Sequence, residues 1–476
     1  MLNSDFEKVF SRLEPDDALK SRIMDRMEKG EMKKSTRKNI RHIAVIAACV
    51  AVAGITTAFA AGNVISYFQS EQAIELTNME SLSMYNDEVG ATASNLGYTV
   101  TIDNLATDDN FMHVFYTLRN DNADTTMEDA YNLGFMCRIN GQIANFGNHN
   151  EQEGYIADDN TYKGVLKLNV ASLDIPETFK LEMYAEEIKK AYSEFSGNYL
   201  YQEYLNLTDE DISKLVYVST TARKTSVETA SVVKNVNKNF SIQYIDDYDN
   251  EKTGEVEISK VIFSPFGNQL VITDTCAGIG AMRVSTYAMF DENGQSLDIL
   301  NTDLCGAKEG NKSYNSIEFL KADVNTKYLK LVPIKDDIKY EETIIQPIGT
   351  YPLTYKVNDY GSVIVTDIRI SDGEIDIDYY KDGYSLYEPY LQLLDKNGNN
   401  CEPGGKLGCT LYTRIHHDTN SYTAQYKYDA RDDKGNKIPA DESVSKENLE
   451  KTFTHLGVGA YNFTLDFNNA IEIDLK

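Results

Sequence analysis

Tyr98-Thr-Val-Thr-Ile-Asp-Asn-Leu-Ala-Thr-Asp-Asp-Asn-Phe-Met-His-Val-Phe-Tyr116 is an alternating strand, a polar turn and a second alternating strand. Side chains on a strand point to opposite faces with a period of two, so this pattern specifies a hairpin with one buried face. The same order of parts occurs twice more. Val256–Ile272 (VEISKVIFSPFGNQLVI) and Val363–Tyr379 (VIVTDIRISDGEIDIDY) each place two alternating strands around a polar turn. After each comes an apolar strand closed by Asn-Gly: Cys137-Arg-Ile-Asn-Gly, Phe290-Asp-Glu-Asn-Gly and Leu394-Asp-Lys-Asn-Gly. That pair predicts a type I′ turn in each, because both central residues must tolerate positive φ.

A repeated order of parts predicts repeated modules rather than one large domain. Closing strands are expected at Gly164–Val170 with Phe179–Tyr184, at Tyr328–Pro333, and at Tyr461–Phe467 with Ala470–Leu475. The chain has 32 Tyr and no Trp, and many Thr, Val and Ile in short runs, which favours β structure. Units of this length predict a mainly β fold of tandem immunoglobulin-like β-sandwiches. The expected ranges are 63–234 for the first sandwich with its connecting segment and an insertion, 235–355 for the second and 356–476 for the third. Residues 186–238 depart from the repeat and read as a lobe or a linker, with a strand resuming at Asn239–Tyr244.

Upstream, Ile43–Gly62 (IAVIAACVAVAGITTAFAAG) carries no charge over twenty residues, enough helix to cross a hydrocarbon core of roughly 30 Å. Lys29, Lys33, Lys34, Arg37, Lys38 and Arg41 precede it and Glu71, Glu75 and Glu80 follow. This asymmetry predicts a single-pass protein in the lipid bilayer, with a cytoplasmic segment at 1–42, a transmembrane helix at 43–62 and the rest outside the cell. Ala58-Phe59-Ala60 leaves a cleaved secretory signal as the rival reading, and an Ala-rich buried helix as a third.

Residues 1–42 carry a net charge of +3 within a chain of −28, so the remainder is strongly acidic. An exported region of that sign does not attract nucleic acid. Ser4-Asp-Phe-Glu7 fits a capping box, and Phe6, Val9, Phe10 and Leu13 fall on one helical face. Pro15 ends that helix and Leu19, Ile23 and Met27 form the stripe of a second. Roughly thirty residues cannot bury two such stripes against one another, so these seven side chains are expected to bind a partner. The alternatives are a disordered tail or helices lying on the lipid.

No G-x-S-x-G, H-E-x-x-H or phosphate loop is present, so no enzyme is expected and no cofactor or metal is called for. His113 and the pair His416-His417 read as strand residues rather than ligands or bases. Asp246–Glu251 and Asp395–Asn399 are rich in oxygen atoms, but the second lacks the closing Glu of an EF-hand and reads as a turn. Asp376 and Asp378 share one face of a strand and are expected to be solvated. Cys401 and Cys409 flank a turn-rich loop that allows a disulfide, with two separate thiols as the alternative.

The leader Leu13-Glu-Pro-Asp-Asp-Ala-Leu-Lys-Ser-Arg-Ile, the Lys/Arg-flanked helix ending Ala58-Phe-Ala and the strand pair Tyr98–Tyr116 together resemble Firmicute membrane proteins carrying the domain of unknown function 4179. Val256–Ile272, with Ser264-Pro265, resembles the second sandwich found behind that domain. The resemblance implies an anti-sigma factor whose N-terminal helices bind an extracytoplasmic-function sigma factor, without the His/Cys zinc motif of the zinc-binding class. A cell-surface adhesion or structural protein of tandem modules is the other reading.

Overall fold

The computed structural model describes residues 86–121, 133–144, 151–187, 215–224, 231–245, 251–264, 266–275, 287–309, 312–335, 338–386, 389–399, 407–416, 419–430 and 444–475. Among them the chain is mainly β, in six antiparallel sheets. The first module contains β1 (Asn86–Asn95), β2 (Tyr98–Thr107), β3 (Phe111–Asn120), β4 (Leu133–Ile139), β5 (Gln142–Ile143), β6 (Glu151–Asp158), β7 (Thr161–Asn169), β8 (Thr178–Glu187) and β9 (Val216–Arg223). The hairpin expected at Tyr98–Tyr116 is β2–β3, and the sheets run β1-β2-β3-β7-β6 and β5-β4-β8-β9. Ile102, Val114, Tyr116 and Leu166 of the five-stranded sheet meet Cys137, Leu181, Met183 and Val218 of the other in one core. Tyr116 lies fully buried across Gly164, its partner on β7, where any Cβ would strike the ring.

The second module repeats this order. It has β10 (Val232–Ile245), β11 (Glu251–Ser264), β12 (Gly267–Asp274), β13 (Tyr287–Phe290), β14 (Ser296–Leu297), β15 (Ile299–Glu309), β16 (Lys312–Phe319) and β17 (Tyr328–Pro333). The third has β18 (Lys339–Pro347), β19 (Leu353–Lys356), β20 (Gly361–Ser371), β21 (Glu374–Gly383), β22 (Leu391–Leu394), β23 (Leu407–His416), β24 (Ser421–Ala430) and β25 (His455–Asn462). Their five-stranded sheets are β10-β11-β12-β16-β15 and β19-β20-β21-β24-β23, each with the connectivity of the first. A short helix, α1 (Lys446–Thr452), packs Leu449 into the third core, and the Ser445 hydroxyl accepts from Asn448 N–H at its start.

The likeness extends to one residue per module. The central hairpin is bulged between Ile102 and Asn104, between Ile258 and Lys260, and between Val365 and Asp367. The extra residue is polar each time and ties itself to the facing strand. Asp103 accepts from the Thr117 hydroxyl at 2.7 Å, Ser259 donates to the Val271 carbonyl at 3.2 Å, and Thr366 donates to the Asp378 carbonyl at 3.2 Å. A bulge raises the local twist, which lets a five-stranded sheet curl over its partner.

Several expectations are corrected. Only Asn140-Gly141 has positive φ at both residues, 50° and 83°. At the other two sites only Gly294 and Gly398 are positive, because Asp291 and Asp395 each accept two backbone N–H groups and hold a wider turn. The segment 186–238 is not wholly irregular: it contains β9, which closes the first module, and the start of β10. Gly164–Val170 and Phe179–Tyr184, expected as closing strands, fall on β7 and β8, which lie in opposite sheets.

The largest difference concerns order. β26 (Ile471–Asp474) pairs with β17, with Tyr328 opposite Asp474 and Leu331 opposite Ile471, and it buries Ile473 in the second core. It does not pair with β25. β18, which the sequence places before position 355, joins the third module through β25. Ile334 and Leu465 form a bridge where the chain leaves the second module and where it returns. The third module is therefore inserted into the second, between β17 and β26, rather than following it. Alternation shows which face of a strand is apolar, not which sheet receives it.

Candidate functional site

Phe6, Val9, Phe10, Leu13, Leu19, Ile23 and Met27, the expected partner-binding residues, lie outside the described residues, as does 43–62. Among the described residues no helix is long and apolar enough to cross a membrane, and no group of three His, Cys, Asp or Glu is placed to hold a metal ion. Asp246–Asn250, His417 and Cys401 are likewise outside; Cys409 is an exposed residue of β23. The Asp395 oxygens are engaged by Asn397 and Asn399 in the turn already described. Asp376 and Asp378 are bridged by Arg369, which also reaches Asp367. That pairing holds the Asp378 carboxyl below its usual range against the opposing effect of burial.

The concentration of buried polar groups lies where the first module meets the second. The turn after β2 presents Asp108, whose Oδ1 accepts from Asn110 N–H at 2.6 Å and Phe111 N–H at 2.8 Å, and whose Oδ2 accepts from Phe266 N–H at 3.3 Å. The Asn110 amide donates to the Gly267 carbonyl at 2.7 Å, the Ser264 hydroxyl at 3.1 Å and the Ile262 carbonyl at 3.3 Å. The Asp109 carboxylate pairs with Lys224, and the Asp109 N–H donates to the Ser231 hydroxyl at 3.0 Å. From β7, Lys167 reaches Glu318 at 3.5 Å and lies over the Phe111 ring, and Asn169 donates to Ser316 at 2.7 Å. Ala171, Ile262, Val271 and Cys305 supply an apolar patch beside them.

His113 stands in this seam. It is on β3 as the sequence suggests, but it is fully buried, edge-on to Phe266 at 5.1 Å, and neither ring nitrogen has a partner. Burial, with the Lys167 ammonium beside it, pushes the imidazole down to about 3, so it is neutral at ordinary pH. Burial pushes Asp108 up to about 6, and its hydrogen bonds only partly offset that. The seam has the chemistry of a joint: its donors and acceptors position two modules, and burial shifts two of its groups in opposite directions, each toward its neutral form. Asp108 and Asn110 were legible as turn residues. Their partners 150 residues away were not.

The second seam is different in kind. Leu300 and Leu320 of the second module enter the core of the third, and Phe290 and Val332 pack with Tyr384 and Phe463. One buried polar knot crosses it: Asp298 accepts from Lys321 Nζ at 2.9 Å and from the Tyr422 hydroxyl at 2.9 Å, while Lys321 Nζ also donates to the Lys381 carbonyl.

Fold and seams together define a multi-module antiparallel β protein with one module nested in another. Within it, residues 34–120 match the family described as "Domain of unknown function (DUF4179)". The match begins in the basic flank, covers the apolar stretch 43–62 and ends with β3. No curated protein matches the chain. Among solved structures, "the crystal structure of the conserved domain protein from Bacillus anthracis" is similar at 13% identity, covering 60% of this chain and 89% of that chain with a TM-score of 0.33. A likeness that slight carries no argument.

Proposed function

We propose that the chain is a single-pass membrane regulator, an anti-sigma factor that binds an extracytoplasmic-function sigma factor through Phe6, Val9, Phe10, Leu13, Leu19, Ile23 and Met27. Its extracellular part would be three immunoglobulin-like sandwiches that sense the envelope. The observation that carries this reading is the order of parts: an amphipathic leader too short to bury its own stripes, a basic flank, the uncharged stretch 43–62, and a DUF4179 match that runs through that stretch into β3. Helix-in-groove binding accounts for a leader whose apolar residues recur at helical spacing.

The test is co-purification from membranes of the full chain and of a form lacking residues 1–30, with identification of what is bound. A sigma factor retained only when the leader is present is the expected result. Phe10→Asp with Ile23→Asp should release sigma-dependent transcription at least tenfold. If neither change alters transcription or the bound set, the leader is passive and the modules act as a surface-binding stalk.

A further inference from the structure

The first strand of each five-stranded sheet meets the central hairpin at the same place, and the residue it sets there differs. Val100, Val256 and Val363 each stand three residues before the bulged residue of their hairpin, and all three are buried. Opposite them lie Ala93 of β1, Phe240 of β10 and Tyr355 of β19. Tyr355 is fully buried and its hydroxyl donates to the Leu456 carbonyl at 3.1 Å, while Phe240 packs on the second core. β1 offers the first core Val89, Ala91 and Ala93, and none of residues 87–95 is buried. Its neighbour β2 buries Thr99, Val100, Ile102 and Asn104–Thr107. An alanine removes far less apolar surface from water than an aromatic ring, so β1 is held by the weakest of the three equivalent contacts.

β1 is also an edge strand, paired in its sheet with β2 alone, from Asn86 opposite Ala106 to Asn95 opposite Tyr98. The chain that follows the uncharged stretch 43–62 enters this ladder at Asn86. Ala106 stands two residues before Asp108, which grips Phe266 of the second module. Both points of attachment lie at one end of the β1–β2 pair, so a pull between them parts the ladder one pair at a time instead of shearing it all at once. The ladder is interrupted near that end: three pairs precede a bulge between Glu88 and Ala91, where Gly90 takes a φ of 65° with open space around it. Side-chain ties reinforce the other end. Thr92 meets Thr101 at 2.9 Å, Ser94 meets Thr99 at 2.7 Å, and Asn95 donates to the Leu215 carbonyl at 2.8 Å.

We propose that β1 is a latch, a strand that leaves the first module while β2–β9 stay folded, and that its release is the step by which the extracellular part controls the leader. Segments held by few buried contacts open as units of their own, below the cost of global unfolding. Ten residues set free add about 33 Å of extended chain ahead of the body. The output of the latch rests on the anti-sigma reading above, whereas its opening does not.

Hydrogen exchange read by mass spectrometry, on the full chain in detergent, compares β1 with β19, the equivalent edge strand, and with β2 and β3. The hydrogen-bonded amides of β1 should exchange at least tenfold faster than those of β19, with β2 and β3 protected. Thr92→Cys with Thr101→Cys, an outward pair, should slow β1 at least tenfold once oxidised. Ala93→Asp should speed it by as much while β2 and β3 stay protected, and Ala93→Gly, the milder change, should act in the same direction. In cells Ala93→Asp should raise sigma-dependent transcription at least tenfold, and the cysteine pair in the same chain should reverse that rise. Equal exchange in β1 and β19, or loss of protection in β1, β2 and β3 together, would overturn the latch. Faster β1 exchange with transcription unchanged, and a sigma factor still held by the leader, would overturn its regulatory role. Absence of a bound sigma factor strikes the anti-sigma reading and that output with it, while the exchange comparison still decides the latch.

Discussion

His113 and Asp108 make the first seam respond to acid in two opposed ways. The His113 imidazole is held at about 3 in the folded chain against 6.5 in an unfolded one, so its contribution is intact above pH 6.5 and is lost as pH falls toward 3. At pH 5 that loss is about 2 kcal/mol. Asp108 is raised from 3.8 to about 6, so its protonated form favours folding and that contribution fades as pH climbs from 4 through 6. Denaturant unfolding at pH 5 and pH 7.5 separates the two. His113→Phe should gain about 2 kcal/mol relative to the native chain at pH 5 over its effect at pH 7.5, whereas Asp108→Asn should gain about 1 kcal/mol in the reverse sense. Equal effects at both pH values for both variants would mean that neither group titrates in the seam. The sequence reads His113 as a strand residue and no more, because alternation reports an inward or outward direction. What buries an outward residue is a second module, which local pattern does not contain.

Strands were the most legible elements, and their partners the least. Each central hairpin follows from alternation, and the repeat of its order was visible in three places along the chain. The bulges were hidden inside the same alternation: V-x-I-D, V-x-I-S and V-x-V-T place a small polar residue at the bulged step, and that signal becomes readable once the three units are compared. β26 reads as a plain closing strand, yet it belongs to the second core, where Ile473 and Leu475 are buried. Ile473→Asp should therefore destabilise the second module by roughly 3 kcal/mol or more, since it buries a carboxylate among Leu and Ile side chains. Limited proteolysis followed by mass spectrometry reads the outcome. Early cuts are expected between β10 and β17, with the first module persisting. Cuts confined to β23–β25 would place β26 with the third module instead.

At the scale of the molecule the two seams predict unequal coupling. The seam between the second and third modules shares apolar core residues and two chain crossings, while that between the first and second is mostly hydrogen-bonded. Scanning calorimetry of the full chain should show the second and third modules melting in one transition, and Leu320→Ala should lower that transition by several degrees while leaving the first module's in place. Three independent transitions would contradict the shared core. The expected boundary at 355 falls inside β19, whereas the chain leaves the second module at Ile334, and nothing local records either that exit or the return. That return gives the third module the position of a hairpin loop, its two ends held side by side by Ile334 and Leu465. The entropy of closing a loop grows only with the logarithm of its length, and a folded insert closes its own ends. A whole module can thus be gained, exchanged or trimmed to a tight turn at one hairpin tip while β17 and β26 keep their register, so the third module is replaceable as a cassette without rethreading the body that carries it.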